Sequence, residues 1–323
     1  MTLSTPAKAP YMSHTAIGRM WRPVAAGTAG MVIVGSSVGV SRTLVDGPLF
    51  TAQALRYWAA VLILLLVARC AGVRIVAPRG REWFWLCGIA ATGLVLFNVA
   101  VVRGVEHAEP AVIAVAVACA PVLISVIGPL LEGRRPTSRL LAAAGVVTAG
   151  SMLVAGLGRA DLVGVGWAVV ALLCEAGFTL LALPVLGRLG PWGVSVHAVW
   201  IAALMLTALG VTFEGPAVVG SITPGQWLAI GYLAVMVTAV AFLLWYSAVS
   251  ALGSGRAALL TGVAPVAAAV SGMALGAGLP GVPVWLGIGV VIVGLGVGLL
   301  RRTTAARQGT MNGCLPPAGS GSS

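Results

Sequence analysis

Charge is what this chain most conspicuously lacks. Only 8% of its 323 residues are Asp, Glu, Lys or Arg, against roughly a quarter in soluble domains. A water-soluble globule is thereby excluded, because its surface would need far more polar groups. The five cysteines, Cys70, Cys87, Cys119, Cys174 and Cys314, show neither CxxC nor metal-site spacing and read as apolar filler plus one tail residue, so no metal site is expected. Histidine is confined to His14, His107 and His197. With His14 in a tail and His107 in a loop, no convergent catalytic set exists, which argues against a membrane-embedded enzyme. No phosphate-binding loop is present either; the glycine run near Gly294 lacks a preceding strand and the Lys-Ser/Thr step. No cofactor, and no ATP-driven transport by this chain alone, is expected. Residues 1–20 have no apolar stretch of the kind a secretory signal needs, so the N-terminus is expected to stay in the cytosol.

What is abundant is apolar surface: 59% hydrophobic residues and 44 glycines without a triplet period, at a mean hydropathy of +1.04. The apolar runs predict an all-α polytopic membrane protein with ten spans at 24–45, 50–69, 83–102, 110–131, 140–157, 164–185, 192–213, 227–248, 257–278 and 284–300. The net charge of +11 would suggest nucleic acid in a soluble domain. Here the bases sit between spans, without a basic stripe, and no nucleic-acid partner is expected. With the first tail in the cytosol, 15 of the 19 basic residues fall on that side; Arg42, Arg103 and Arg159 fall outside, and Arg56 lies within a span. That asymmetry predicts cytosolic termini in the cell (inner) membrane.

The chain also matches itself at an offset of 144 residues. Glu82-Trp83 meets Gln226-Trp227, Ala120-Pro121-Val122 meets Ala264-Pro265-Val266, Pro136 meets Pro280 and Gly145-Val146-Val147 meets Gly289-Val290-Val291. Gly47-Pro48 meets Gly190-Pro191 at an offset of 143. The expected organisation is a tail at 1–23, a first five-helix repeat at 24–157, a second at 164–300 and a disordered tail at 301–323. An odd number of helices per repeat inverts the second relative to the first. Basic EGRRPTSR at 132–139 and its uncharged partner GAGLPGVP at 276–283 fit opposite faces. Inverted repeats of this kind build transporters with one site near the midplane. Pro121 and Pro265, at mid-depth in matching spans, are the candidate helix kinks.

The stretches GSSVGVSRTLVDGPLFTAQALRYWAAVLILLL at 35–66, PVLISVIGPLLEGRRPTSRLLAAAGVVTAGSML at 121–153 and TAVAFLLWYSAVSALGSGRAALLTGVAPVAAAVSGMALG at 238–276 resemble EamA-type repeats of the drug/metabolite transporter superfamily. The resemblance spans about residues 24–300. It implies ten helices in two inverted halves and export of metabolites such as amino acids, or of drugs, across the bacterial inner membrane. It also implies a Gly-Glu step after the fourth helix of each repeat. Here that step is Glu132-Gly133 in the first and Gly276-Ala277, without an acid, in the second.

Functional candidates are the polar groups left inside the spans. Glu175, the carboxylate well within a span, is expensive there unless it serves a cavity or a partner; it is a candidate for proton coupling or amine binding, or a protonated packing residue. Arg56, in the ALRYW segment that the resemblance also endows with an arginine, reads as a carboxylate binder, a partner for Glu175, or a side chain snorkelling to the interface. His197 and Trp200 are candidates for substrate contact or proton relay against a packing role. Tyr57 and Asn98 supply cavity polarity. Trp245 and Tyr246, near an inner boundary, read first as an aromatic belt, as do Trp83, Trp85, Trp227 and Trp285.

These observations point to a secondary transporter that exports a small neutral, zwitterionic or amphipathic metabolite, amino-acid-like or drug-like, by alternating access. Protons are the expected coupling ion, the lipid bilayer the partner, and a homodimer is compatible with the pattern. The rival readings are a non-transporting membrane sensor or assembly partner and a flippase of a lipid-linked compound. Charged substrates such as sugar nucleotides are disfavoured, since they need several cavity bases.

Overall fold

The computed structural model describes residues 14–44, 47–274 and 279–299, apart from the side chains of 14–20 and 42. The expected C-terminal tail, the Gly276-Ala277 step, Cys314 and the Arg42 side chain therefore lie outside the described residues. Ten helices are long and apolar enough to cross a membrane. They are α1 Trp21–Ser41, α2 Leu49–Cys70, α3 Glu82–His107, α4 Pro110–Leu131, α5 Ser138–Ala155, α6 Leu162–Leu180, α7 Leu183–Phe213, α8 Pro224–Leu252, α9 Ser254–Ala274 and α10 Val282–Leu299. The first helix already begins at His14, so part of the expected N-terminal tail is helical; Ile17, Met20, Trp21 and Val24 continue its apolar pattern backwards.

Helix ends follow local chemistry. Thr137 accepts the Leu140 N–H at 3.3 Å, and Asp161 accepts the Gly164 N–H at 2.7 Å, each satisfying a donor that a helix start leaves over. The Gly164 N–H first, and then His107, hold the Asp161 carboxyl below its usual range. Glu82 accepts the Arg79 N–H at 2.8 Å, and its repeat partner Gln226 accepts the Thr223 N–H at 3.0 Å. The expected span at 164–185 is too long. α6 stops at Leu180 and a new helix starts at Leu183, because Pro184, at its first turn, has no N–H with which to continue the old one. That helix turns at Gly190, whose φ of 67° is open to glycine, and Pro191 restarts it.

Packing obeys the repeat. α1 packs on α8 and α9, as α6 packs on α3 and α4; α2 pairs with its equivalent α7, and α5 with its equivalent α10. This is a two-repeat, ten-helix membrane fold without strands among the described residues. The connections α2–α3, α4–α5, α6–α7 and α8–α9 share one face, here the basic face, with Arg74, Arg79, Arg81, Arg134 and Arg135. The opposite face carries a clasp between the α3–α4 and α5–α6 connections. It comprises an Ala108 to Ala160 bridge, a His107 to Asp161 contact of 3.0 Å and an Arg159 to Glu109 ion pair of 3.1 Å.

Small residues set the α5–α10 distance. A Cβ built on Gly150 would lie 2.7 Å from the Val291 nitrogen and 2.8 Å from the Gly287 oxygen, and one on Gly294 would lie 2.9 Å from the Val147 nitrogen. This is close helix approach by small residues, as hydrocarbon favours. Gly150→Val should separate the pair and cost about 1–3 kcal/mol as an overpacking change. The expected readout is a lower thermal midpoint of the detergent-purified protein. Gly145→Ala, where a Cβ meets nothing within 4 Å, should leave the midpoint in place.

Candidate functional site

Four departures from regular α-helix sit at matched places. α3 widens into a π-helical segment over Ile89–Leu96, and α8 does so over Leu233–Ala241. Their starts are 144 residues apart, the repeat offset. In α4 the helix breaks at Ala118-Cys119, before Pro121, and in α9 a 3-10 turn over Leu260–Gly262 precedes Pro265. Each proline falls in the first turn of the restarted segment, where its missing N–H is tolerated.

All four irregular stretches border one cavity of about 610 Å³. It extends from the face opposite the basic one, where Pro110, Ala111 and Ala155 line it, towards Phe178, Phe242 and Trp245 deep in the bundle. Both repeats line it at equivalent positions: Met31 with Glu175, Gly93 with Val237, Asn98 with Phe242, and Ala118 with Gly262. The polar members are not duplicated, so the site is chemically lopsided within a symmetric frame.

Arg56 and Tyr57, adjacent on α2, are tied to opposite halves. Arg56 Nε donates to the Thr238 hydroxyl at 2.8 Å and Nη1 donates to Gln53 Oε1 at 3.2 Å. Tyr57 donates to the Leu94 carbonyl at 3.4 Å, and Asn98 Nδ2 donates to the Tyr57 oxygen at 3.1 Å and also to the Leu94 carbonyl. Leu94 and Thr238 are repeat equivalents, 144 residues apart, one in each π segment. The guanidinium carbon lies 5.2 Å from the Tyr57 ring centre. Arg56 is buried, so it does not snorkel, and its hydrogen bonds go to Thr238 and Gln53 rather than to Glu175. Two of its five N–H groups are used; Nη2 has no protein acceptor among the described residues. Glu175 lines the same cavity and makes no hydrogen bond or ion pair among the described residues. The cavity thus holds a cationic fork with spare donors and a carboxylate with spare acceptors, amid apolar walls.

The candidates therefore separate. Arg56, Tyr57, Asn98 and Glu175 converge on the cavity, with Pro265 beside them; His197 and Trp200 do not. Trp200 Nε1 donates to His197 Nδ1 at 3.1 Å. That acceptor role puts the histidine hydrogen on Nε2, which faces the Val76 carbonyl at 3.0 Å. Trp83 packs edge-on against both rings, at centroid distances of 6.2 and 5.9 Å. Both His197 ring nitrogens are engaged away from the cavity, and with Trp200 the ring ties α7 to the α2–α3 connection and the start of α3.

The belt reading of Trp245 and Tyr246 is also corrected. Both are buried; Trp245 Nε1 donates to Thr179 Oγ1 at 3.1 Å and Tyr246 donates to the Phe178 carbonyl at 3.1 Å. Trp83, Trp227 and Trp285 are exposed as belt residues are. Sequence reasoning missed Thr238 and Gln53. The signal for Thr238 was available: aligning the repeats sets a hydroxyl opposite Leu94.

Thr238→Val, close in shape but without the acceptor, leaves a buried guanidinium N–H unpaired. It should cost about 1–3 kcal/mol, seen as a lower thermal midpoint, and Thr238→Ser should recover most of the loss.

Comparison with known proteins agrees with this architecture. The EamA-like transporter family model matches residues 21–156 and 162–299. The "Uncharacterized transporter YetK" of Bacillus subtilis (strain 168) is 29% identical over 287 residues, covering 85% of this chain and 86% of its own. The "Probable terminal-alkyne amino-acid exporter" of Streptantibioticus cattleyicolor is 28% identical over 259 residues, covering 78% and 84%. A crystal structure of a protein only 18% identical shares the fold with a TM-score of 0.71, over 87% of this chain and 97% of the other. With both repeats matched and the ten-helix fold in place, the chain belongs to the EamA-like transporter family.

Proposed function

We propose that this transporter exports a small zwitterionic or amphipathic metabolite, amino-acid-like in its charges, by alternating access between the 24–157 and 164–300 halves. The observation that carries the reading is the pairing, in one cavity, of Arg56 donors and a Glu175 carboxyl that has no hydrogen bond or ion pair among the described residues. A free carboxylate on the substrate suits the guanidinium fork, and an ammonium group suits Glu175. Phe178, Phe242 and Trp245 offer an apolar and aromatic surface for the remainder. The volume of about 610 Å³ falls within the roughly 300–1,000 Å³ usual for small-molecule sites. The name of the Streptantibioticus relative, an amino-acid exporter, supports the same class.

The basic face is assigned to the cytoplasm by the positive-inside rule, in the cell (inner) membrane with both termini cytosolic. The cavity described here is then open towards the outside. In this reading Glu175 also carries the coupling proton. Exchange of that proton for a substrate ammonium at the Glu175 carboxyl links proton and substrate movement.

Glu175→Gln should abolish the pH dependence of transport in proteoliposomes made from the purified protein. Unchanged rates and an unchanged pH profile would remove its assigned role. Arg56→Ala should raise KM at least tenfold for aromatic and aliphatic amino acids while leaving their amides little affected, the difference expected of a charged hydrogen bond. Equal losses for acids and amides would speak against carboxylate recognition.

A further inference from the structure

Beyond the cavity, towards the basic face, the second half of α4 packs against the start of α9. Gly128 comes so near Ser254 that a Cβ on it would lie 2.2 Å from the serine Oγ. Ser125 Oγ donates to the Gly255 carbonyl at 3.4 Å. One residue beyond α4, Glu132 Oε1 accepts the Ser254 N–H at 2.8 Å, and Arg134 donates to the same carboxylate. Gly253 makes room for this arrangement. Its φ is 80°, and a Cβ there would lie 2.7 Å from Arg134 Nη2 and 3.3 Å from Glu132 Oε2. The start of the ninth span is thus held at the basic face by a side-chain carboxylate bound to its first N–H, a donor that the helix itself leaves over.

The repeat permits comparison of this contact with its equivalent on the opposite face. An offset of 144 carries Ser254 to Pro110 and Glu132 to Gly276. Proline has no N–H to donate and glycine no carboxylate to accept it, so both halves of the bond are missing together. Pro110 lies at the open mouth of the cavity; Gly276 lies outside the described residues, and the comparison concerns residue type alone.

We propose that Glu132 is the latch of the basic-face gate. It holds the start of α9 against the end of α4 while the cavity faces the other side, and it releases the Ser254 N–H when the cavity turns. The opposite gate closes without such a latch. The proposal rests on the alternating-access reading, and it adds to the transport cycle a residue that lies outside the cavity. The carboxylate is suited to the task. Burial pushes its pKa up, but bonds from Ser254 and Arg134 outweigh that and leave it below the usual range, so it remains an ionised acceptor near neutral pH.

The test uses the full-length chain with its five cysteines replaced and one reporter, Ala118→Cys, on the cavity wall. Its modification by a charged, membrane-impermeant thiol reagent is timed from each side of oriented vesicles. Glu132→Ala should shift the ratio of the two rates about tenfold towards the basic face, the population equivalent of one charged hydrogen bond. Ser254→Pro copies the residue that Pro110 already presents and removes the donor at a position where proline is tolerated; it should give the same shift. The double variant should add nothing further. Glu132→Gln, which keeps an acceptor oxygen, should shift the ratio less. If the parent reporter is reached from both sides and neither Glu132→Ala nor Ser254→Pro moves the ratio, the latch is overturned while alternating access stands. If the reporter is reached from one side only in every variant, both readings fall. Size-exclusion profiles in detergent identify any variant that has not folded, and the other donor- or acceptor-removing variant then decides the outcome.

Discussion

Hydrocarbon offers no hydrogen bonds, and that constraint governs this molecule. Irregular backbone inside a bilayer survives only where protein or a water-accessible cavity supplies the missing partners. Here the two π segments, the break in α4 and the 3-10 turn in α9 all border the same cavity, so the departures from regular helix and the binding space specify one another. A π turn frees polar groups that a regular helix would consume. The Leu94 carbonyl, taken up by Tyr57 and Asn98, is one such group put to use. At the equivalent place Thr238 accepts from the Arg56 guanidinium with its side-chain hydroxyl.

Much of the architecture was legible in the sequence. Hydropathy and arginine placement reflect the solvent of each segment, and they specify ten helices and two faces without reference to any contact. The repeat extends this to the correspondence of the two halves and their opposite orientation. Within the spans, Arg56, Tyr57, Asn98 and Glu175 could be picked out because polar groups in hydrocarbon are costly enough to be rare. What stayed hidden depended on direction around the helix axis. His197 and Trp200 lie three residues apart and therefore on one face, but nothing in the sequence indicates that this face meets Val76 and Trp83 rather than the cavity. Trp245 and Tyr246 sit near a span end, where aromatic rings commonly mark the interface; only the widened helix before them shows that they turn inwards. The π segments themselves carry no compositional mark, since their residues are ordinary apolar ones.

Family membership and site chemistry inform different questions. The family match accounts for the frame, which is shared with a crystal structure at only 18% identity. The cavity polarity belongs to particular side chains, most of them in one half only. The α5–α10 pair is held by backbone approach of small residues, as at Gly150 and Gly287, which do not line the cavity.

The unequal decoration of equal halves has a consequence in terms of symmetry. A cavity with a true twofold axis in the membrane plane would hold a polar molecule equally well in two opposed orientations, so its contents would carry no preferred direction. Here the cation belongs to the first half and the anion to the second. The positions equivalent to Glu175 and Asn98 are Met31 and Phe242, and Arg56 corresponds to uncharged Val199 or Trp200. The arrangement of charge therefore has a sense, and under the proposed function a dipolar substrate would have a single preferred pose. Fusing two similar five-helix units into one chain makes that inequality available, because two identical subunits related by a twofold axis must present every charge twice.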